Sequence, residues 1–219
     1  MGSSLNRRKL IQASFFLGAA GPAGFALAQE ACLGTPSPSQ PEGPFYPVKP
    51  QRDLDADLTR LAGKNQVARG EILDLWVQVQ DEDCQSLEGA LVDLWQACAT
   101  GKYNHPRDPN TADLDPYFQY WAKAYTDASG YVKIRTIKPG AYPAADGWIR
   151  PPHIHFKISA PGFRELTTQM YFAGEALNQK DLILLDLPLE EGNRLIVRFD
   201  REEGEVIPKG VFTVQLKKT

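Results

Sequence analysis

From about residue 67 the chain alternates. Leu73, Leu75, Val77 and Val79 are apolar, and Asp74, Trp76, Gln78 and Gln80 stand between them, the period of two expected of a strand with one buried face. Comparable runs predict further strands at about 90–96, 119–125, 131–137, 152–159, 165–172, 194–199 and 211–217. Turn-forming segments separate them, among them Thr126-Asp127-Ala128-Ser129-Gly130 and Ala160-Pro161-Gly162. A short helix is expected around 175–183. Many short strands without a long amphipathic helix predict an all-β fold, an antiparallel β-sandwich with long loops. Before the alternation begins, Thr35-Pro36-Ser37-Pro38-Ser39-Gln40-Pro41 and Glu42-Gly43-Pro44-Phe45-Tyr46-Pro47 are too rich in proline and turn residues for regular structure. Residues 29–66 are therefore expected as an N-terminal arm, leaving 67–219 as one sandwich domain. Between Tyr103 and Gln119 lies a Pro-, Asp- and Asn-rich stretch too long for a hairpin turn. Its aromatic residues Tyr117 and Phe118 favour an ordered loop.

Composition adds a compartment. The 219 residues are 42% hydrophobic, enough for one globular domain. The first 28 read as an export signal: a basic start at Asn6-Arg7-Arg8-Lys9, an apolar stretch from Leu10 to Leu27, and a small-residue cleavage site at Ala26-Leu27-Ala28. The Arg7-Arg8 pair before Lys9-Leu10-Ile11 suits a twin-arginine signal, whose pathway exports folded proteins, so a periplasmic or secreted location is expected. Losing that segment removes three of the 24 Lys and Arg residues and no acid, leaving 21 bases against 27 acids. An acidic chain without a basic run is a poor nucleic-acid binder, and the signal's short, Gly- and Pro-containing apolar run argues against a stable membrane span. Cys32, Cys84 and Cys98 in an oxidising compartment imply one disulfide and one free thiol. If residues 89–97 form one extended strand, Cys84 and Cys98 lie roughly 30 Å apart at about 3.3 Å per residue, which disfavours that pair. Sequence does not decide the connectivity; Cys32 with Cys84 is the pairing expected.

Two of the three histidines fall in Ile149-Arg150-Pro151-Pro152-His153-Ile154-His155-Phe156-Lys157. In a strand His153 and His155 project to one face, opposite Ile154, Phe156 and Ile158. Taken alone, the dyad suits a metal or a solvated sheet face equally well. Thr167, Gln169 and Tyr171 share one face of the next strand, close to the histidines. A zinc site would want a third His, Cys or carboxylate, and a cupin would carry Glu where Ser159 and Ala160 stand. An Fe(II) facial triad needs a carboxylate that His-Ile-His does not supply. Tyrosine is the remaining hard anionic ligand. Tyr103 follows Gly101-Lys102 and Tyr142 follows Pro139-Gly140-Ala141, each at a strand end, where side chains are commonly aimed into a site. Singly, each is as well explained by packing.

Together the motifs are specific. "GALVDLWQACATGKY", "TDASGYVKIRTIKPGAYP", "WIRPPHIHFKISAPG" and "TTQMYFAGE" occur in this order, and over roughly residues 42–217 the chain resembles the intradiol ring-cleavage dioxygenases, in particular protocatechuate 3,4-dioxygenase chains. That resemblance implies a mononuclear non-haem Fe(III) held by Tyr103, Tyr142, His153 and His155. It further implies a catecholic substrate cleaved with O2 between its hydroxylated carbons to a cis,cis-muconate-type dicarboxylic acid. Tyr142 would double as an internal base and Arg150 would stabilise negative charge on the substrate ring. Gln169, Tyr171 and Tyr46 match residues lining the family's pocket. His105 has no counterpart among the ligands. Relatives often continue the Tyr-Pro pair with tryptophan where this chain has Ala144, and its segment from Tyr142 to His153 is shorter, so one pocket wall is expected to differ. Relatives assemble around their active sites, which leaves room for a homo-oligomer. The rival from another class is a non-catalytic exported β-sandwich module binding a phenolic ligand or another metal, but such a module has no need of the tyrosine pair.

Overall fold

A computed structural model describes residues 33–51 and 53–219. The expected export signal and Cys32 lie outside the described residues. Among the described residues ten strands account for most of the regular structure: β1 (Ile72–Asp81), β2 (Leu91–Trp95), β3 (Trp121–Tyr125), β4 (Tyr131–Ile137), β5 (Tyr142–Ala145), β6 (Trp148–Arg150), β7 (His153–Ser159), β8 (Leu166–Phe172), β9 (Ile196–Val197) and β10 (Lys209–Leu216). Two short helices, α1 (Leu182–Leu185) and α2 (Leu189–Asn193), follow a single 3-10 segment at Ala176–Lys180. The strands form a three-stranded sheet in the order β10-β1-β4, a five-stranded sheet in the order β3-β2-β7-β8-β9, and a small β5-β6 hairpin.

The alternation of β1 does its expected work, since Leu73, Leu75, Val77 and Val79 are all buried in the core. They meet Val92 and Leu94 of β2, Ile154, Phe156 and Ile158 of β7, and Phe212 and Val214 of β10. Phe156 and Phe212 join the two sheets directly, with ring centroids 5.1 Å apart. The polar positions of β1 are also covered. Asp74 is buried beneath Arg135, which donates Nε and Nη2 to its two oxygens at 2.7 and 2.9 Å, and beneath Lys133 at 2.8 Å.

The all-β sandwich is the fold expected, with differences inside it. Among the described strands β1 runs parallel to β10 and β8 parallel to β9, while the other pairings are antiparallel. β1 and β10 are the first and last of these strands, and a 3-10 segment and two helices separate β8 from β9, so no hairpin turn imposes an antiparallel arrangement on either pair. The strand expected at 194–199 shrinks to two residues. The helix expected at 175–183 is replaced by the 3-10 turn and the two helices after it. The β5-β6 hairpin was not anticipated, because Tyr142-Pro143-Ala144-Ala145-Asp146-Gly147-Trp148 carries no alternation.

The proline-rich arm is laid along both sheets. Ser37 donates its backbone N–H to Gln215 and Gln40 donates its own to Thr167, both at 2.9 Å, while Thr168 Oγ1 donates to the Pro38 carbonyl at 2.8 Å. The prolines have no N–H to give, so the non-proline residues between them supply these bonds. Further along, Leu58 is buried in the core. Cys98 is free and buried, and Cys84 is disulfide-bonded, so the two do not pair with each other. Among the described residues no helix is long and apolar enough to cross a membrane.

Phe156 ties the sheets together at a fully buried position, so truncating it leaves a cavity. Phe156→Ala is expected to lose about 3–5 kcal/mol of stability, read as a lower denaturation midpoint in guanidinium titrations with an unchanged slope.

Candidate active site

Two loops cross where the first site residues arise. Gly101, in the turn after β2, has φ +79°, and a Cβ there would lie 2.4 Å from the carbonyl oxygen of Ala141. A Cβ on Gly140 would lie 2.5 Å from the Ala99 carbonyl oxygen and 2.5 Å from the Gly101 nitrogen. Neither position has room for a side chain. The amides of both glycines donate to one acceptor, the Cys98 carbonyl, at 2.9 and 3.0 Å. This crossing sets Tyr103 and Tyr142 edge to face, with ring centroids 5.5 Å apart and both rings buried.

The histidines come from the middle of the five-stranded sheet. Register places His153 opposite Tyr171, and His155 opposite Gln169 on one side and Trp95 on the other. The Trp95 ring stacks on His155 at 4.9 Å and 9°. His153 Nδ1 lies 2.7 Å from the Pro151 carbonyl. A carbonyl only accepts, so the proton sits on Nδ1 and the Nε2 lone pair points inward. That Nε2 lies 3.2 Å from Tyr103 Oη, and His155 Nε2 lies 3.1 Å from the same oxygen. One phenol hydrogen serves only one of the two imidazoles at a time, and Arg150 Nη1 lies 3.1 Å from His153 Nε2, so both nitrogen lone pairs crowd around a single phenol oxygen. His155 Nδ1 is also buried without a partner.

Electrostatics favour neutral imidazoles and neutral phenols. Burial, then the nearby Arg150 charge, holds both histidines well below the usual imidazole range. Burial pushes Tyr103 well up, helped by Tyr142, and pushes Tyr142 up against the opposing pull of Arg150. Neutral imidazoles are ready ligands, and a bound cation would displace the phenol protons. Two nitrogen donors with two phenol oxygens fit a hard trivalent ion such as Fe(III). Among the described residues no three His, Cys, Asp or Glu side chains gather into an alternative metal site.

Arg150 reaches the same point from β6. Its Nη1 lies 3.1 Å from His153 Nε2. Nε donates to Asp181 Oδ2 at 2.9 Å, and Nη2 donates to Asp181 Oδ1 at 3.2 Å and to Tyr171 Oη at 3.0 Å. Tyr171 in turn donates to Gln40 Oε1 of the arm at 3.0 Å. A cavity of about 200 Å³ opens beside this group, and Tyr142, Arg150, His155 and Gln169 line it. Tyr171 stands behind Arg150 and is not among the lining residues. Tyr46 is not among them either: its hydroxyl donates to Asp93 at 2.8 Å and its ring packs edge-on against Trp95. His105 remains a buried loop histidine, its Nδ1 accepting from the Arg107 amide at 3.2 Å.

Comparison with known proteins matches this arrangement to a family. A model of the dioxygenase family matches residues 41–211. The protocatechuate 3,4-dioxygenase beta chain of Burkholderia cepacia is 40% identical over 171 residues, covering 75% of this chain and 72% of that one. The chain belongs to the intradiol ring-cleavage dioxygenases. A chlorocatechol 1,2-dioxygenase from Pseudomonas sp. (strain P51) is 33% identical over 110 residues, 44% of this dioxygenase and 41% of that protein. Among solved structures, the dioxygenase domain of a carbohydrate-binding fusion protein from Streptomyces sp. SirexAA-E is 31% identical, with a TM-score of 0.63 over 84% of this chain and all of that domain. The 3-chlorocatechol 1,2-dioxygenase of Rhodococcus opacus 1CP superposes with a TM-score of 0.66 at 27% identity, over 84% of this chain and 74% of that one.

Sequence reasoning missed several residues of this dioxygenase's site. Asp181 is fully buried, grips Arg150 through both oxygens and accepts the Leu184 amide at 2.9 Å, starting α1. In Gln179-Lys180-Asp181-Leu182 nothing marks it, and only an unpaired buried arginine would have prompted a search for its partner. Trp148 and Ile183 line the cavity, with Asp108 at its edge. Trp148 lies on β6 opposite Ala145 of β5, and together with Ala144 it lines the cavity. Removing Asp181 strands a buried guanidinium, so Asp181→Ala should lose about 3–5 kcal/mol in urea unfolding. Asp181→Asn, which keeps one acceptor, is expected to lose measurably less.

Proposed function

We propose that this dioxygenase opens a catechol-type ring between its two hydroxylated carbons with O2, giving a cis,cis-muconate-type dicarboxylic acid. A mononuclear non-haem Fe(III) would be held by Tyr103, Tyr142, His153 and His155. The observation that carries this reading is the convergence of both imidazole Nε2 atoms on Tyr103 Oη at 3.2 and 3.1 Å, with the Tyr142 ring alongside. The catechol-type substrates in the names of the relatives support it. Held by these residues, Fe(III) would supply Lewis-acid chemistry, favouring the deprotonated catechol that reacts with O2. Both oxygen atoms end in the product, so the reaction needs no external reductant.

The chain's own groups divide the remaining work. Tyr142 Oη, as a phenolate, would take one catechol proton as the substrate binds. Arg150 is held with Nη1 facing the centre, where its charge stabilises the anionic ring. Gln169 donates Nε2 to the Pro41 carbonyl at 2.9 Å, which fixes its side chain in the cavity wall. Phe45, Pro143 and Trp148 keep water away from the reacting ring. We also infer that the protein works outside the cytoplasm after twin-arginine export. The disulfide at Cys84 supports an oxidising compartment.

Protein purified after iron supplementation should be red-brown, with about one iron per chain, from tyrosinate charge transfer to a trivalent metal. Colourless protein holding zinc after iron reconstitution would instead favour the phenolic-binding module. Tyr103→Phe and His153→Ala should lower iron content measured by plasma emission. Arg150→Lys should keep the iron and slow ring opening by about 100-fold, as a point charge cannot reproduce the two-pronged grip on Asp181.

A further inference from the structure

Residues 40–46 of the proline-rich arm meet the site residues in turn, and what they do for Arg150 rests on the ring-cleavage reading above. Gln169 Nε2 donates to the Pro41 carbonyl at 2.9 Å. A Cβ on Gly43 would lie 3.4 Å from His155 Cε1, and the Phe45 ring packs 4.8 Å from that of Tyr103. Gln40 heads this series and is buried. Its Oε1 accepts the Tyr171 hydroxyl at 3.0 Å, and its Nε2 donates to the Ile183 carbonyl at 3.3 Å. A carbonyl only accepts, so these two partners decide which way the Gln40 amide faces.

Tyr171 is fully buried, and burial raises its pKa well above the ordinary phenol value, so it carries its hydrogen at neutral pH. Three acceptors surround that hydroxyl: Gln40 Oε1 at 3.0 Å, Asp181 Oδ1 at 3.4 Å and Gln169 Oε1 at 3.5 Å. One hydrogen serves one of them well. The choice matters because Asp181 Oδ1 already accepts Arg150 Nη2 at 3.2 Å and the Leu184 amide at 2.9 Å. A further donor at that oxygen would compete with the guanidinium. With the hydrogen on Gln40, the Tyr171 oxygen accepts from Arg150 Nη2 at 3.0 Å, and Nη1 stays 3.1 Å from His153 Nε2.

We infer that Gln40 is a positioning residue for Arg150: by taking the Tyr171 hydrogen it leaves Asp181 free for the guanidinium and keeps Nη1 aimed at the point where the ring becomes anionic. Without that acceptor the Tyr171 hydrogen turns to Asp181 Oδ1, the Nη2 bond there weakens, and a small rotation of the guanidinium takes its charge off the reacting ring. Holding the arm in place is a separate task with its own contacts. Ser37 bonds Gln215, Thr168 bonds the Pro38 carbonyl, and Arg194 donates to the carbonyls of Thr35 at 2.8 Å and Pro36 at 3.0 Å. Loss of the Gln40 amide therefore leaves the arm docked.

The test is a double-variant cycle in the full chain, with Gln40→Leu, Tyr171→Phe and both together. In the iron-loaded protein Gln40→Leu should lower kcat for catechol about tenfold, while the catechol dissociation constant from anaerobic spectral titration moves less than about twofold. Gln40→Met, of similar volume, should behave alike. Added to Tyr171→Phe, Gln40→Leu should cost nothing further, because the hydroxyl it acts through is gone. Arg150 Nε, bonded to Asp181 Oδ2 at 2.9 Å, gives a readout that needs neither iron nor turnover. In heteronuclear NMR of the isotope-labelled chain without iron its N–H resonance should shift in Gln40→Leu and exchange with water about tenfold faster. Additive losses of kcat in the double variant would overturn the inference, since Gln40 would then act only by docking the arm. So would an Arg150 resonance that Gln40→Leu leaves unmoved. If the resonance moves as expected and the unaltered protein opens no catechol, the ring-cleavage reading fails and the positioning of Arg150 by Gln40 stands.

Discussion

One backbone carbonyl holds the two halves of the site together. Cys98 accepts the amides of Gly101 and Gly140, whose loops pass so closely that a methyl group on either would strike the other's backbone. Tyr103 and Tyr142 leave this crossing two residues beyond each glycine, and their mutual placement follows from it. The histidines need no such device, because β7 is an inner strand and the pleat alone directs both to one face. A rigid sheet thus supplies the nitrogens, and a glycine crossing at its edge supplies the oxygens.

Around this group the protein buries charge in an ordered way. Arg150 sits within reach of His153 and would be a severe liability in an apolar core without Asp181. The pair is extended through Tyr171 to Gln40, so the proline-rich arm is part of the scaffold that orients the guanidinium. Gln40 Nε2 also donates to the Ile183 carbonyl at 3.3 Å, linking the arm to α1. The charge so fixed favours neutral imidazoles, the protonation state a metal requires. Positioning and electrostatic preparation come from the same hydrogen bonds.

Much of this was legible before any coordinates. The alternation in β1 and the dyad in β7 follow from local sequence, as do the two glycine-tyrosine motifs. The β5-β6 hairpin was not legible, since Pro143, Ala144 and Ala145 show no period and the pairing depends on a turn at Gly147. Asp181 escaped because its partner is 31 residues away and its neighbours are ordinary helix formers. Tyr46 was assigned to the pocket with its aromatic segment, yet Asp93 and Trp95 draw it under the sheet.

The sequence by itself determined which residue types are available and which face of each strand they occupy, because pleat geometry and glycine's lack of a side chain act within a few residues. Tertiary structure alone decided that two tyrosines 39 positions apart share one point with His153 and His155. It also decided that Arg150 arrives paired with Asp181. Those properties belong to contacts between distant segments, and a buried charge acquires its meaning only from the partners that folding brings to it.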